Sequence, residues 1–231
     1  MKITIFIICL ALFINIGLSA QNKKSIIVKA GTRIIDYFPV SERYRYPDFT
    51  DGKVIFKNGK IIPGKLNYNL LSGEMQFIQL ADTLSLSNTK DLKSIVIAQD
   101  TFYCHNGYLE IIHSGKLNVY LKQAIVIKDI QKEGAYGTIN RSAASESYGY
   151  VLTSGNTVNL IVREDMVLQN TAEYFYSTPE NDFIRFSKKN IINVLPGKGD
   201  DIRNYLKSNK VDFESREDLL RLADFVSNLL P

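Results

Sequence analysis

The feature that most restricts this chain is its punctuation by glycine. Asp51-Gly52, Asn58-Gly59, Ser72-Gly73, Asn106-Gly107, Ser114-Gly115 and Ser154-Gly155 each separate two short runs rich in β-branched and aromatic residues. Glycine supplies the positive φ that tight turns require, so these runs are expected to fold back on one another as antiparallel hairpins. Strands are expected at residues 25–30, 32–37, 52–57, 60–69, 74–80, 83–86, 94–98, 101–104, 108–113, 116–127, 148–153, 157–163, 173–177, 182–187 and 191–194. In Met75-Gln76-Phe77-Ile78-Gln79-Leu80 the apolar residues fall mostly on one face, whereas Ser94-Ile95-Val96-Ile97-Ala98 reads as buried on both. The expected class is mainly β: an antiparallel sandwich, roll or half-barrel of many short hairpins.

The tail changes period. After Pro196-Gly197, Asp200 or Asp201 can cap a helix carrying Ile202, Tyr205 and Leu206, with Asn209 as its stop. Ser215-Arg216-Glu217-Asp218 then resembles a capping box ahead of Leu219, Leu222, Ala223, Val226 and Leu230 at helical spacing. A C-terminal pair of short amphipathic helices is therefore expected, docked on the β core, because short helices are marginal in water by themselves.

At the other end, Met1-Lys2 precedes an almost unbroken apolar run from Ile3 to Leu18, then Ser19-Ala20 and a polar stretch. This pattern reads as a secretory signal peptide cut after Ala20. The expected organisation is a signal peptide at 1–20, an antiparallel β domain at 21–195 and a helical tail at 196–231 packed on that domain. Removal of the peptide takes Cys9 and leaves Cys104 as the single cysteine, so no intrachain disulfide is possible. Cys104 is expected as a small buried hydrophobe on a strand. No transmembrane span is expected in the mature chain, and no outer-membrane barrel is expected, since such a barrel would close with a strand where helices are expected here.

Charge excludes another class of partner. With 28 Lys+Arg against 24 Asp+Glu, the formal net charge is +4 and no dense basic run concentrates it, so no nucleic-acid groove is expected.

Catalytic motifs are scarce. Gly59 to Lys65 has the glycine and lysine spacing of a phosphate loop, but Leu66 stands where a hydroxyl is needed, and the context is a hairpin rather than a strand-to-helix switch. His105 and His113 are the only histidines. Cys104 and His105 are adjacent on an expected strand and point to opposite faces, so they form neither a nucleophile pair nor, with His113, a metal site. No catalytic residue, metal or cofactor is expected. Asp48, Asp51, Glu74, Asp82, Asp100 and Glu110 are read as solvated acids at turns and strand ends, with no pair singled out.

Two segments carry the candidate ligand-binding residues. Arg43, Tyr44, Arg45 and Tyr46 alternate guanidinium and ring, a pattern that can stack on a sugar or base, although the plainer reading is an exposed edge lying over apolar surface. Asn67 and Asn69 share one face of an expected strand, where they either stitch neighbouring turns or, with Gln76, present a polar binding face; the stitching role is the expected one. The stretch 131–147 is polar, small and without period, and is expected as a long surface loop.

Phe56-Lys57-Asn58-Gly59-Lys60, Leu66-Asn67-Tyr68-Asn69-Leu70-Leu71-Ser72-Gly73-Glu74-Met75-Gln76-Phe77 and Asp82-Thr83-Leu84 together form a distinctive segment. It resembles a group of uncharacterised exported proteins of Gram-negative bacteria that share an F-x-N-G-K turn followed by L-N-Y-N-L-L-[ST]-G-E-M-Q-F. The ending from Tyr205 to Phe213 and the helix after Glu217 are similar to that group's ending. The resemblance implies export and a single folding unit, and transfers no site residue. The expected role is a non-catalytic binding or interaction module that is periplasmic, envelope-associated or secreted, with an unknown envelope component or a small ligand as partner; a carrier of a hydrophobic ligand is one version of it. The competing class is a carboxylate-dependent envelope enzyme acting on saccharide.

Overall fold

The computed structural model describes residues 25–133, 139–143, 161–179 and 183–230. The expected signal peptide, the strand at 148–153, the Ser154-Gly155 turn and most of the strand at 157–163 lie outside the described residues.

Among the described residues, twelve strands form one antiparallel sheet. They are β1 (Ser25–Val28), β2 (Thr50–Phe56), β3 (Ile61–Asn69), β4 (Glu74–Gln79), β5 (Asp82–Ser85), β6 (Leu92–Ile97), β7 (Asp100–Cys104), β8 (Tyr108–His113), β9 (Asn118–Glu133), β10 (Ile139–Ala143), β11 (Asp165–Ser177) and β12 (Ile184–Arg185). The order is β1-β11-β9-β8-β7-β6-β2-β3-β4-β5, with β10 beside β9 and β12 beside β11. Most neighbours are consecutive hairpins, as the glycine punctuation predicts. The long-range exceptions are β1 on β11, β2 on β6 and β9 on β11.

Among the described residues the sheet is not closed, since β1 and β5 end it. It nevertheless turns back on itself. Beyond the end of β3, Leu70 accepts a backbone hydrogen bond from Ile125 of β9 at 2.8 Å, and the Tyr68 hydroxyl donates to the Gln123 carbonyl at 3.0 Å. Inside this turn Leu66, Tyr68, Met75, Ile95, Ile97, Phe102 and Tyr108 pack as one buried cluster. Tyr68 meets Tyr108 edge-on and Phe102 at a tilt, so large rings rather than an empty space occupy the interior.

Five α-helical segments complete the described chain: α1 (Ile34–Tyr37), α2 (Val40–Arg43), α3 (Lys188–Ile192), α4 (Gly199–Asn209) and α5 (Arg216–Leu229). The expected C-terminal pair is α4 and α5. Ser215 caps α5 by accepting the Asp218 amide at 3.3 Å, while Lys210 at φ +47 ends α4 one residue after the expected Asn209. Ile202 and Leu206 of α4 and Leu219, Leu222 and Val226 of α5 bury against Val119, Leu121, Tyr174 and Tyr176 of the sheet. The Ser227 hydroxyl also accepts the Leu117 amide at 3.1 Å, tying α5 to the start of β9.

Several expectations are overturned. Residues 32–37 and 191–194 do not form strands: the first holds α1, and α3 runs into the second, with Ser187 accepting the Asn190 amide at 3.1 Å to start a helical turn ahead of Ile191-Ile192. The strand at 182–187 shrinks to Ile184–Arg185, and Ile161 forms only an isolated bridge with Arg33. Asp51-Gly52 lies within β2, not in a turn. The long loop expected at 131–147 is in part a hairpin, because β9 extends to Glu133 and β10 pairs back along it. The remainder of that stretch lies outside the described residues.

Candidate functional site

Arg43 to Asp48 approach β2 along the far end of β3. Tyr44 bridges to Asn69, the Arg45 amide donates to the Tyr68 carbonyl at 2.9 Å, and the Leu70 amide donates to the Arg43 carbonyl at 2.7 Å. The β2–β3 register then begins at Thr50 opposite Leu66. Five residues of one strand thus separate positions that face only two on the other, between Asn69 and Leu66. The excess bulges outward and leaves backbone groups without ladder partners.

Asn67 satisfies them. Its Oδ1 accepts the Tyr46 amide at 3.1 Å and the Tyr68 amide at 2.9 Å, while its Nδ2 donates to the carbonyls of Tyr46 at 2.9 Å and Asp48 at 3.2 Å. The side chain is wholly buried and does the work of a missing stretch of strand. Asn69 acts in the same way one turn later, its Oδ1 accepting the amides of Leu71 and Ser72 at 3.0 and 3.2 Å. Its Nδ2 donates to Gln76 Oε1, which also accepts the Tyr44 hydroxyl at 2.8 Å, and Gln76 Nε2 donates onward to the Ser85 hydroxyl at 3.2 Å.

The arginine and tyrosine pattern is engaged with the sheet, not exposed at an edge. Arg45 Nε and Nη2 donate to the two oxygens of Glu110 at 3.0 and 3.2 Å, and Nη2 lies 3.9 Å from Asp100 Oδ2. Tyr46 donates its hydroxyl to the same Asp100 oxygen at 2.6 Å. The Arg45 guanidinium also sits 5.2 Å from the centre of the Tyr46 ring. Burial first, and then the bond to Asp100, push the Tyr46 phenol far above its ordinary range, and the bond to Glu110 raises Arg45 further. Arg43 stacks over Tyr44 at 5.8 Å and keeps a buried Nε without a hydrogen-bond partner among the described residues.

Glu110 corrects the reading of the acids as solvated turn residues. It stands in the middle of β8 with only 6% of its surface exposed. The sequence signal for it is an acid inside Tyr108-Leu109-Glu110-Ile111-Ile112, where burial demands a cation. Arg45 is that cation.

The remaining candidates for chemistry are dispersed. Cys104 is half-buried at the end of β7, less enclosed than expected. His105 packs between Phe183 and Phe175 at centroid distances of 5.1 and 6.2 Å. His113 Nε2 lies 3.3 Å from Asp224 Oδ1 of α5. An open groove of 570 Å³ runs beside the stacked Tyr205 and Phe225 rings, between α4 and α5. Among the described residues no helix is long and apolar enough to cross a membrane.

A different part of the surface is apolar. Ile78 of β4 and Leu84 of β5 are exposed, and Leu80, in the turn between them, is 98% exposed at φ +57. Every residue of β5 is exposed, and among the described residues its outer edge carries no further strand.

Comparison with family models, curated proteins and solved structures returns no match.

Proposed function

We propose that this protein is an exported, non-catalytic interaction module of the cell envelope, built as a half-barrel with a solid core and two covering helices. One observation carries the reading: the side chains best suited to chemistry hold one another. Arg45 spans Glu110 and Asp100, Tyr46 binds Asp100, the amide of Asn67 is spent on backbone and that of Asn69 on backbone and Gln76. These groups fasten residues 43–48 to β3, β7 and β8, while Ile78 of β4, Leu80 of the turn and Leu84 of β5 are among the apolar side chains left exposed. The ring-filled interior of the curled sheet argues against the hydrophobe-carrier version.

Native mass spectrometry of the protein purified from its own envelope tests this. The expected result is retention of a second polypeptide, identical or different. A bare monomer, or a monomer holding only a lipid or a glycan, overturns it.

The second reading, a carboxylate enzyme acting on saccharide, draws on the approach of Asp100 and Glu110 to the same guanidinium. Arg45 occupies the position between them, where a sugar or water would need to enter. Hydrolysis of an envelope glycan that Asp100→Asn abolishes without lowering thermal stability would favour this reading over the first.

A further inference from the structure

Resting on the interaction reading, the geometry points to the outer edge of β5 as the docking surface for a second copy of this chain, β5 pairing antiparallel with β5 about a two-fold axis at Leu84. The backbone directions come from the β4–β5 ladder. The Leu86 amide donates to the Met75 carbonyl at 2.8 Å, and the register continues with Ser85 opposite Gln76, Leu84 opposite Phe77, Thr83 opposite Ile78 and Asp82 opposite Gln79. Residues of an antiparallel strand alternate in the side to which they direct N–H and C=O. Leu86, Leu84 and Asp82 therefore direct theirs toward β4, and Thr83 and Ser85 direct theirs outward, off the sheet.

Symmetry then selects the register. A two-fold axis perpendicular to the sheet keeps each side chain on its own face, so a residue can oppose only itself or one an even number of positions away. With the axis at Leu84, Thr83 opposes Ser85 of the second copy and Ser85 opposes Thr83, and every outward amide and carbonyl of both residues finds a partner. With the axis at Thr83, Ser85 would oppose Ala81 in the turn and that match is lost. Leu84, 40% exposed, meets its own counterpart in a pair without backbone bonds, the arrangement that brings side chains closest.

Charge permits this pairing. The single charged residue of β5 is Asp82, which opposes Leu86 of the second copy and stays about 13 Å from its counterpart at the usual strand rise. Edge strands of monomers are commonly guarded by short length, charge, proline or a bulge; β5 is short, but its one charge stands at its turn end, and Asp82–Ser85 has no lysine, no proline and an unbroken register. Outward amides and carbonyls in a row are satisfied by another extended chain and not by lipid, which makes a strand the fitting occupant.

Sedimentation velocity of the purified protein over a wide concentration range, with cysteine cross-linking, tests this. The wild type is expected to form dimer with rising concentration, and Thr83→Pro to remain monomeric at an unchanged melting temperature, because its amide serves no bond to β4. In a background with Cys9 and Cys104 replaced by serine, Leu84→Cys is expected to cross-link to itself on mild oxidation. Thr83→Cys, offset from its counterpart, is expected not to. A wild type that stays monomeric, a Thr83→Pro variant that still dimerises, or equal cross-linking at both positions overturns the proposal. If Thr83→Pro fails to fold, the two cysteine variants still decide. A protein that is monomeric when pure yet retains a different polypeptide from the envelope sinks self-pairing and leaves the interaction reading standing.

Discussion

Arg45 grips Glu110 through two nitrogens at 3.0 and 3.2 Å across 65 residues of chain, joining the segment ahead of β2 to the middle of β8. Glu110 is buried, so its carboxylate depends on this cation. Arg45→Ala is expected to destabilise the fold by about 2–3 kcal/mol through the uncompensated charge left behind. Combining Arg45→Met with Glu110→Leu should recover most of the loss, because a buried ion pair adds little over an apolar pair of similar volume. Urea unfolding with a lowered midpoint and unchanged slope for the single variant, and a restored midpoint for the double, checks this.

Asn67→Ala removes the partner of the Tyr46 amide and of the Tyr46 and Asp48 carbonyls together. With buried backbone groups costing about 1–3 kcal/mol each when left unpaired, a loss of about 3 kcal/mol is expected. Hydrogen exchange should localise the damage: the Tyr46 amide loses protection while the β9–β11 ladder keeps its own up to the global limit.

Leu80 occupies the first place of a two-residue hairpin turn at positive φ, where glycine is the favoured residue. Being 98% exposed, it loses almost no packing on truncation. Leu80→Gly is therefore expected to raise stability by about 0.5–1 kcal/mol, the relief of backbone strain exceeding the added freedom of the unfolded chain. A higher melting temperature at the same unfolding slope checks it.

Alkaline pH acts on the buried phenols. Burial pushes Tyr176 up to about 12, and burial with the Asp100 bond raises Tyr46 as well. Below the unfolded value of about 10, both states hold these protons and the full stability is present. As pH rises beyond about 10, the unfolded chain releases protons that the folded chain keeps, so stability falls, for Tyr176 until about 12. The urea midpoint should hold steady below about pH 10 and decline above it. Tyr176→Phe, which also gives up the hydroxyl bond to the Asn190 carbonyl, should start lower and decline less steeply.

The β architecture was legible in the sequence because turn chemistry is local. Its errors were local too. Leu80-Ala81 and Ala98-Gln99 make tight turns without glycine, Leu80 and Ala98 themselves taking positive φ. Asp51-Gly52 has the turn signature but sits in β2, where a Cβ on Gly52 would stand 2.4 Å from the Val96 carbonyl and 2.8 Å from Leu66 Cδ1. That glycine serves a close strand approach. Ile191-Ile192 reads as strand by residue preference, and the Ser187 cap overrides it. Alternation placed Asn67 and Asn69 on one face and left stitching and a binding face both open; the reluctance of asparagine to sit in a strand favoured stitching. The meeting of Arg45 with Glu110 and of Tyr46 with Asp100 was not, because it depends on how β2, β6, β7 and β8 are ordered across the sheet.

The pairing of β1 with β11 also sets a schedule. The Ala30 amide reaches the Asp165 carboxylate 135 residues away, and Ser25 to Val28 lie along Gln169 to Met166. The first strand therefore has nothing to dock on until most of the chain has followed it. Contacts so distant in sequence slow the search for the native state, so this is expected to be a late-completing folder. Such a chain stays threadable for the length of its synthesis, a kinetic property that the proposed export would draw on before the sheet is finished.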